Sequence, residues 1–132
     1  YAATGLSLRS HPVAFLRAEL TTRKLLSAAY MRDLPNGRLV RTCGIVTMRQ
    51  QPQTAKGVVF VTLEDETGST NVIVWKSLKE KQRAELLRAR LLAVYGVWQR
   101  DSSSGVCHLV AKRLVDMTPM LGTLAAQSRD FR

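Results

Sequence analysis

Phe60 is the residue of this sequence whose type and position most directly suggest a binding role. It lies in the run VVFVTLED, where alternation places Phe60 and Thr62 on one face of a predicted strand. The opposite face is aliphatic: Val59, Val61 and Leu63. An accessible aromatic ring can stack on a nucleic-acid base, a contact worth about 1–3 kcal/mol that tolerates any base. The alternative is that the ring closes one end of the fold as part of the core.

Basic residues near Phe60 in the predicted fold could contact phosphates. The candidates fall in predicted loops or along the last predicted strand: Arg49, Lys56, Arg100, His108 and Lys112. Neutralising phosphates releases counterions, so such a site binds with a strong dependence on salt. A lone histidine such as His108 is more often a surface hydrogen-bonding residue than a ligand or a catalyst.

Three further aromatic residues could belong either to the core or to a binding surface. Trp75 ends a predicted strand, where an aromatic ring often closes a barrel, so the pattern favours the core; base stacking is the alternative, and Trp75 stays a candidate. Trp98 shares its face with Leu92 and Val94, which predicts a core position. The pattern leaves Tyr95 undecided.

The sequence shows no pattern of catalytic or metal-binding residues. It has no glycine-rich phosphate loop, no metal-ligand spacing and no nucleophile with a partner base. Asp65 and Glu66 are better explained by turn chemistry than by metal binding. Cys43 and Cys107 are expected to be buried thiols in a reducing compartment, with a disulfide between the first and last strands left open. We therefore predict no catalytic residue, metal or cofactor in this chain.

The elements that must position these side chains are five short strands and one helix. The first strand is predicted from Arg38 to Met48, and a hairpin follows the second at residues 64–69. A helix over residues 77–89, with Leu78, Gln82, Leu86 and Leu87 facing inward, separates strands three and four. A flexible hairpin over residues 100–105 joins the last two strands. This order is typical of the OB-fold, a five-stranded, partly open barrel, and predicts a mainly β domain over residues 36–117.

The residues on either side of the barrel have a different pattern. Residues 1–35 are predicted to be a helical linker, with Ser10 capping one helix and Thr21 and Thr22 capping a second that carries Leu25 to Tyr30. Residues 118–132 are predicted to be a short tail. No apolar stretch reaches membrane-spanning length and no signal-peptide pattern is present, so we expect a cytoplasmic protein without a membrane partner.

The charge balance indicates a polyanionic partner. Twenty Lys and Arg residues stand against ten Asp and Glu, which gives a formal net charge of +10. The alternative is a basic surface with no role in nucleic-acid binding, because charge alone says nothing about the fold.

A resemblance to a known family adds to this interpretation. The string GRLVRTCGIVTMRQQPQTAKGVVFVTLEDETGSTNVIVW resembles the OB domain of bacterial C-family DNA polymerases (DNA polymerase III alpha-like), and most closely the error-prone, damage-inducible mutasome branch. GLSLRSHP upstream and HLVAKRL and SRDF downstream fit the same branch. The shorter pattern Phe60-x-x-Leu63-x-Asp65 is similar to anticodon-binding OB domains of class II aminoacyl-tRNA synthetases, in which the matching Phe stacks on a base.

The resemblance implies a module of a bacterial DNA polymerase that acts in translesion synthesis and SOS mutagenesis. The catalytic acids and Mg²⁺ of the parent enzyme would lie in a palm domain outside this chain. The partners it implies are single-stranded template DNA, an accessory mutasome protein related to Y-family polymerases, and the sliding clamp. Gln127 and Phe131 weakly match a clamp-binding peptide. Two alternatives remain open: a protein-interaction module that recruits mutasome partners or the clamp, and an anticodon-type tRNA-binding domain.

Overall fold

Five strands form a closed barrel in a computed structural model that describes residues 11–52 and 56–122. They are β1 (Leu39–Gln50), β2 (Val59–Asp65), β3 (Gly68–Val74), β4 (Leu91–Arg100) and β5 (Cys107–Asp116). The order around the barrel is β1-β2-β3-β5-β4, and β4 pairs with β1. The β3–β5 pair is parallel and closes the barrel, whereas the other pairs are antiparallel. The predicted OB-fold is confirmed, with a cylinder that is closed rather than partly open.

The barrel interior is filled by aliphatic side chains that alternate along the strands. The predicted inward face of β2 is confirmed, and Trp98 is buried as expected. The other strands contribute a matching set: Val40, Val72, Val74, Leu92, Val94, Leu109, Ala111 and Leu114. Gly96 lets β4 and β5 approach closely, because a Cβ at this position would overlap the carbonyl oxygen of Val110.

Two short helices, rather than the single predicted helix, connect β3 and β4. They are α3 (Lys76–Lys81) and α4 (Arg83–Arg88), separated at Gln82. The side-chain amide of Gln82 donates a hydrogen bond of 2.8 Å to the carbonyl of Leu114 on β5 and accepts one of 2.7 Å from the Leu114 backbone amide. This pairing holds Gln82 out of helical geometry, which explains the break. Leu86 is buried as predicted, but Leu87 is half-exposed, so its predicted inward position is wrong.

The N-terminal region also forms helices, although not with the predicted caps. Helix α1 spans Pro12–Thr22 and is capped by His11, whose Nδ1 accepts a hydrogen bond from the Val13 amide at 3.2 Å; the prediction that Ser10 caps it is wrong. The second helix is a single turn, α2 (Ala28–Met31), capped by Ser27 rather than by Thr21 or Thr22. Its shortness follows from Leu26, which pairs with Thr42 of β1 instead of joining a helix.

Helix α1 covers the outer face of β1 and β4. Val13, Leu20 and Leu25 pack there on Cys43, Leu91 and Ala93, with Met117 from the segment after β5. Burial raises the pKa of the Cys43 thiol to about 12, and both cysteines are free. The prediction of a buried thiol therefore holds for Cys43, while Cys107 is half-buried.

A salt-bridge network attaches α1 to the β2–β3 hairpin. Arg17 binds Glu66 in a bidentate manner at 2.7 Å and 2.8 Å and lies 3.5 Å from Asp65. Asp65 is buried and accepts hydrogen bonds from the amides of Thr67, Gly68 and, at 2.9 Å, Ala28. These contacts confirm turn chemistry for Asp65, whereas the Glu66 side chain binds Arg17; together the two acids fix the helical region against the barrel.

Two negative findings apply to the described residues. No helix among them is long and apolar enough to cross a membrane. Within the same ranges, no group of His, Cys, Asp and Glu side chains could hold a metal ion.

Candidate nucleic-acid interface

The outer face of β2 and β3 presents an aromatic surface, defined here as Phe60, Ile73 and Trp75. Phe60 pairs with Ile73 across the strands and with Gln50 of β1 on its other side. Directly paired residues share a face, and Trp75 follows Ile73 with the same parity, which puts it within diagonal reach of Phe60. The Phe60 residue is 39% exposed and Trp75 is 52% exposed, so both rings are open to solvent.

Trp75 was expected in the core, and that expectation is wrong. The strand ends at Val74, which takes the inward position, and Trp75 therefore points outward where it begins α3. It borders an open cleft of about 650 Å³ between the helices and β5, lined also by the basic residues Lys81, Lys112 and Arg113 and by one acid, Glu85. An exposed indole beside three basic side chains can stack on a base while the cations contact its phosphates.

Thr62 and Lys56 both lie near the aromatic surface. Thr62 is half-buried and pairs with Met48 on one side and Asn71 on the other. Lys56 is exposed in the turn before β2, with φ near 50°. The next residue, Gly57, packs closely on the side chain of Lys76 at the start of α3, so Lys56 and Trp75 lie at the same end of the β2–β3 face.

The two candidates on β5 take different roles. Lys112 is exposed and borders the cleft beside Trp75. His108 is half-buried and hydrogen-bonds the side chain of its cross-strand partner Gln99 at 2.9 Å, as expected for a surface hydrogen-bonding residue.

Arg49 lies in β1, not in the predicted loop, and its guanidinium group caps a helix. It donates a hydrogen bond of 2.7 Å to the carbonyl of Leu86 and another to the carbonyl of Ala89, at the C-terminal end of α4. A cation at this position compensates the unpaired carbonyls and the helix dipole. The structure therefore shows that Arg49 attaches α4 to β1, and its contact with nucleic acid stays a prediction.

Arg100 is also engaged in the fold. It ends β4, its guanidinium group donates to the carbonyl of Arg32, and its amide donates to the side chain of Asn36 at 2.8 Å. The hairpin that follows is organised by Asp101, which accepts hydrogen bonds from Ser103 and Ser104. The amide of Ser103 lowers the pKa of Asp101 below its usual value. An ionised carboxylate thus occupies the loop in which a cationic rim was predicted.

Two basic residues flank Tyr95 in a row that was not predicted from the sequence. Arg41, Tyr95 and Arg113 are directly paired on β1, β4 and β5. The Cζ atoms of Arg41 and Arg113 lie 5.1 Å and 5.7 Å from the centroid of the Tyr95 ring. Alternation puts all three residues on the outer faces of their strands. Knowledge of the strand register would therefore have predicted that they lie side by side.

Gln127 and Phe131, the proposed clamp-binding residues, lie outside the described residues.

Residues 40–116 match a family model described as an OB-fold nucleic acid binding domain. Nearly the whole chain is also similar to segments of curated bacterial proteins named error-prone DNA polymerase. The identity is 60% over 99% of the chain for the Azoarcus sp. protein and 54% over 99% for that of Ralstonia nicotianae. The chain spans about 12% of the length of each of these relatives. The resemblance noted from the sequence is therefore confirmed.

Solved structures support the fold alone, at low sequence identity. Asparaginyl-tRNA synthetase from Pyrococcus horikoshii, complexed with asparaginyl-adenylate, superposes with a TM-score of 0.59 at 18% identity, over 71% of this chain and 22% of that one. OBody AM1L10, bound to hen egg-white lysozyme, gives a TM-score of 0.57 at 17% identity, over 72% of this chain and 94% of that one. The strands form a closed five-stranded barrel with exposed aromatic residues, and the family model matches more than half of the chain. The chain therefore belongs to the OB-fold nucleic acid binding domains.

Proposed function

We propose that this chain is the module of an error-prone DNA polymerase that holds single-stranded template DNA. The observation that carries the proposal is the exposure of Phe60 and Trp75 on the β2–β3 face, which is the face that OB-folds use for oligonucleotides. Among the described residues, α1 packs mainly over β1 and β4, and the N-terminal helices reach β2 and β3 only at their hairpin, near Asp65 and Gly68. Within residues 11–52 and 56–122, both rings are accessible to a ligand.

The physical basis is stacking without base readout. Every base has a π-face, so a platform of Phe60 and Trp75 accepts any sequence, including a damaged base that has lost its normal hydrogen-bonding edge. Lys56 and Lys112 lie at the same end of this surface and supply the phosphate contacts. Such a module suits translesion synthesis, in which the template base is abnormal.

The relatives supply the context of this proposal. They carry the name error-prone DNA polymerase, and the chain corresponds to a small part of each. DNA synthesis, its Mg²⁺ ions and its catalytic acids would therefore belong to other parts of a bacterial cytoplasmic enzyme. The damage-induced mutagenesis proposed here is the role of that whole enzyme.

A labelled oligothymidine titration tests the proposal. The double variant Phe60→Ala/Trp75→Ala should weaken binding by about 1–3 kcal/mol for each stacked base, while the salt dependence persists. A matched control is Phe15→Ala/Tyr30→Ala, which removes two rings of similar exposure (61% and 57%) from α1 and α2.

Two results would contradict the proposal. One is equal binding by the aromatic-surface variant and its control, which would place the strand elsewhere. The other is a clear preference for a structured anticodon stem-loop over plain single strands, which would favour a tRNA-binding module.

The mutasome accessory protein and the sliding clamp are proposed partners of the same enzyme. Retention of the chain on immobilised clamp, lost on Gln127→Ala/Phe131→Ala, is the result expected if the tail binds the clamp. If the chain fails to bind DNA at low salt but is retained by a mutasome subunit, the protein-interaction alternative replaces the DNA-binding one.

A further inference from the structure

A second basic surface lies on strands that do not carry the aromatic surface. Arg41 and Tyr95 line a cleft of about 460 Å³ on β1 and β4, together with Lys24 and Lys112. Arg113 flanks Tyr95 on β5 and lines the neighbouring cleft with Lys112. We call the set Lys24, Arg41, Tyr95, Lys112 and Arg113 the cationic cleft.

Both guanidinium groups are held in place by one ring. The Cζ atom of Arg41 is 5.1 Å from the Tyr95 centroid and that of Arg113 is 5.7 Å from it. A cation at this distance is attracted to the ring face, and the stacked guanidinium keeps its N–H donors free at its edge. The two arginines are therefore oriented before any ligand arrives, which lowers the entropic cost of binding.

Among the described residues, no ion pair joins the cations of the cationic cleft to an acidic side chain, although Glu85 lines the neighbouring cleft with Lys112 and Arg113. None of the described residues that line the 460 Å³ cleft is acidic. The ion pairs found among residues 11–52 and 56–122 involve His11, Arg17 and Arg23, not the members of the cleft. Like charges gathered in one cleft focus a positive potential, and an anion with several oxygens relieves their repulsion.

The 460 Å³ cleft around Arg41 offers no free ring for base stacking among the described residues. Tyr95 is half-buried, packs on the cluster under α1, and has both arginines over its ring. A ligand bound here is therefore recognised by its phosphates and not by its bases. Because paired bases are as acceptable as unpaired ones at such a site, duplex DNA can bind without being melted.

A β-bulge connects the cationic cleft with the aromatic surface. Tyr95 pairs with Arg113 and Gly96 with Ala111, so Lys112 is the extra residue of β5 between them. Lys112 consequently borders both clefts, the one that contains Trp75 and the one that contains Arg41. A nucleic-acid strand can pass from one site to the other along this residue.

We propose that the cationic cleft is a second nucleic-acid site, which binds the phosphodiester backbone of duplex DNA through Arg41 and Arg113. A duplex seated there would deliver its unpaired continuation past Lys112 to the aromatic surface. The delivery of the unpaired strand rests on the proposed function of the aromatic surface, whereas duplex binding itself does not depend on stacking by Phe60 or Trp75.

The test is the binding of a short blunt duplex to the chain, with the affinity measured between roughly 50 and 200 mM salt. Arg41→Gln/Arg113→Gln should weaken duplex binding roughly tenfold at the lower salt and reduce the slope of log K against log salt by about two units. The charge-matched control is Arg83→Gln/Arg88→Gln, which removes two exposed cations from α4. The control should keep most of the affinity. Circular dichroism confirms that both variants are folded.

A third variant separates this site from the aromatic surface. Phe60→Ala/Trp75→Ala should leave duplex binding unchanged even if it abolishes binding of oligothymidine. The proposal is overturned if the two arginine variants lose duplex affinity equally, if the unmodified chain binds no duplex at low salt, or if it binds polyglutamate more tightly than the duplex.

Discussion

The two outer faces of this barrel differ in what covers them, although both are built from alternating strands. On the β1–β4 face, helix α1 seals Cys43, Leu91 and Ala93 from solvent. On the β2–β3 face, Phe60 and Trp75 are exposed among the described residues. The sequences of the strands reflect this difference. Strand β4 is apolar at nearly every position, as expected for a strand buried on both sides, whereas β2 alternates apolar inward residues with more exposed ones. The covered face thus contributes to the stability of the domain, whereas the exposed rings of the other face are the ones proposed to stack on bases.

The largest expected effect is on stability and tests whether α1 covers the β1–β4 face. Leu20→Ala removes a fully buried side chain of α1 and should lower the free energy of unfolding by about 2–5 kcal/mol, as measured by urea denaturation. Phe15→Ala, on the exposed side of the same helix, should change it by less than about 0.5 kcal/mol. Similar losses for the two variants would show that α1 does not seal the barrel as described.

An intermediate effect on stability is expected at the end of β1, where Arg49 contacts α4. Arg49→Met removes two hydrogen bonds to the end of α4 and should cost about 1.5–3 kcal/mol of stability, with no change in the salt dependence of oligothymidine binding. Lys56→Met should do the opposite, leaving stability unchanged and lowering the salt slope by about 0.7. A lowered salt slope for Arg49→Met would return this arginine to the binding site.

The smallest effect concerns the salt bridge that attaches α1 to the β2–β3 hairpin. The Arg17 hydrogen bond lowers the pKa of Glu66 in the folded state, so its stabilising contribution is present above the unfolded value of about 4.5 and is lost as the pH falls through the folded value. Glu66→Gln should therefore lower the thermal midpoint at pH 7. The loss should correspond to less than about 1 kcal/mol, because both partners are partly exposed.

The pH dependence of this loss is the decisive measurement. The difference between the unmodified chain and Glu66→Gln should shrink steadily as the pH falls below 4.5. Glu80→Gln, at an exposed position of α3, should show no such trend. A difference that stays constant down to acidic pH would mean that the bridge does not hold the helix.

The barrel and its inward residues were predictable because strand periodicity is local. Alternation placed Phe60 outward and Val61 inward, and the structure agrees. The errors concern positions decided by partners distant in sequence. Arg49 binds carbonyls of α4, and the shift of Trp75 to the surface depends on where β3 ends. The Arg41–Tyr95–Arg113 row required the register of three strands, which one sequence does not reveal.

The parallel β3–β5 pairing has a consequence for every partner of this domain. Because it closes the ring, the described strands leave no unpaired edge to which a foreign peptide could add as a further strand. A partner must then be recognised by side chains on the outer surface of the barrel. Single substitutions there can change what is bound without disrupting the hydrogen bonds between the strands.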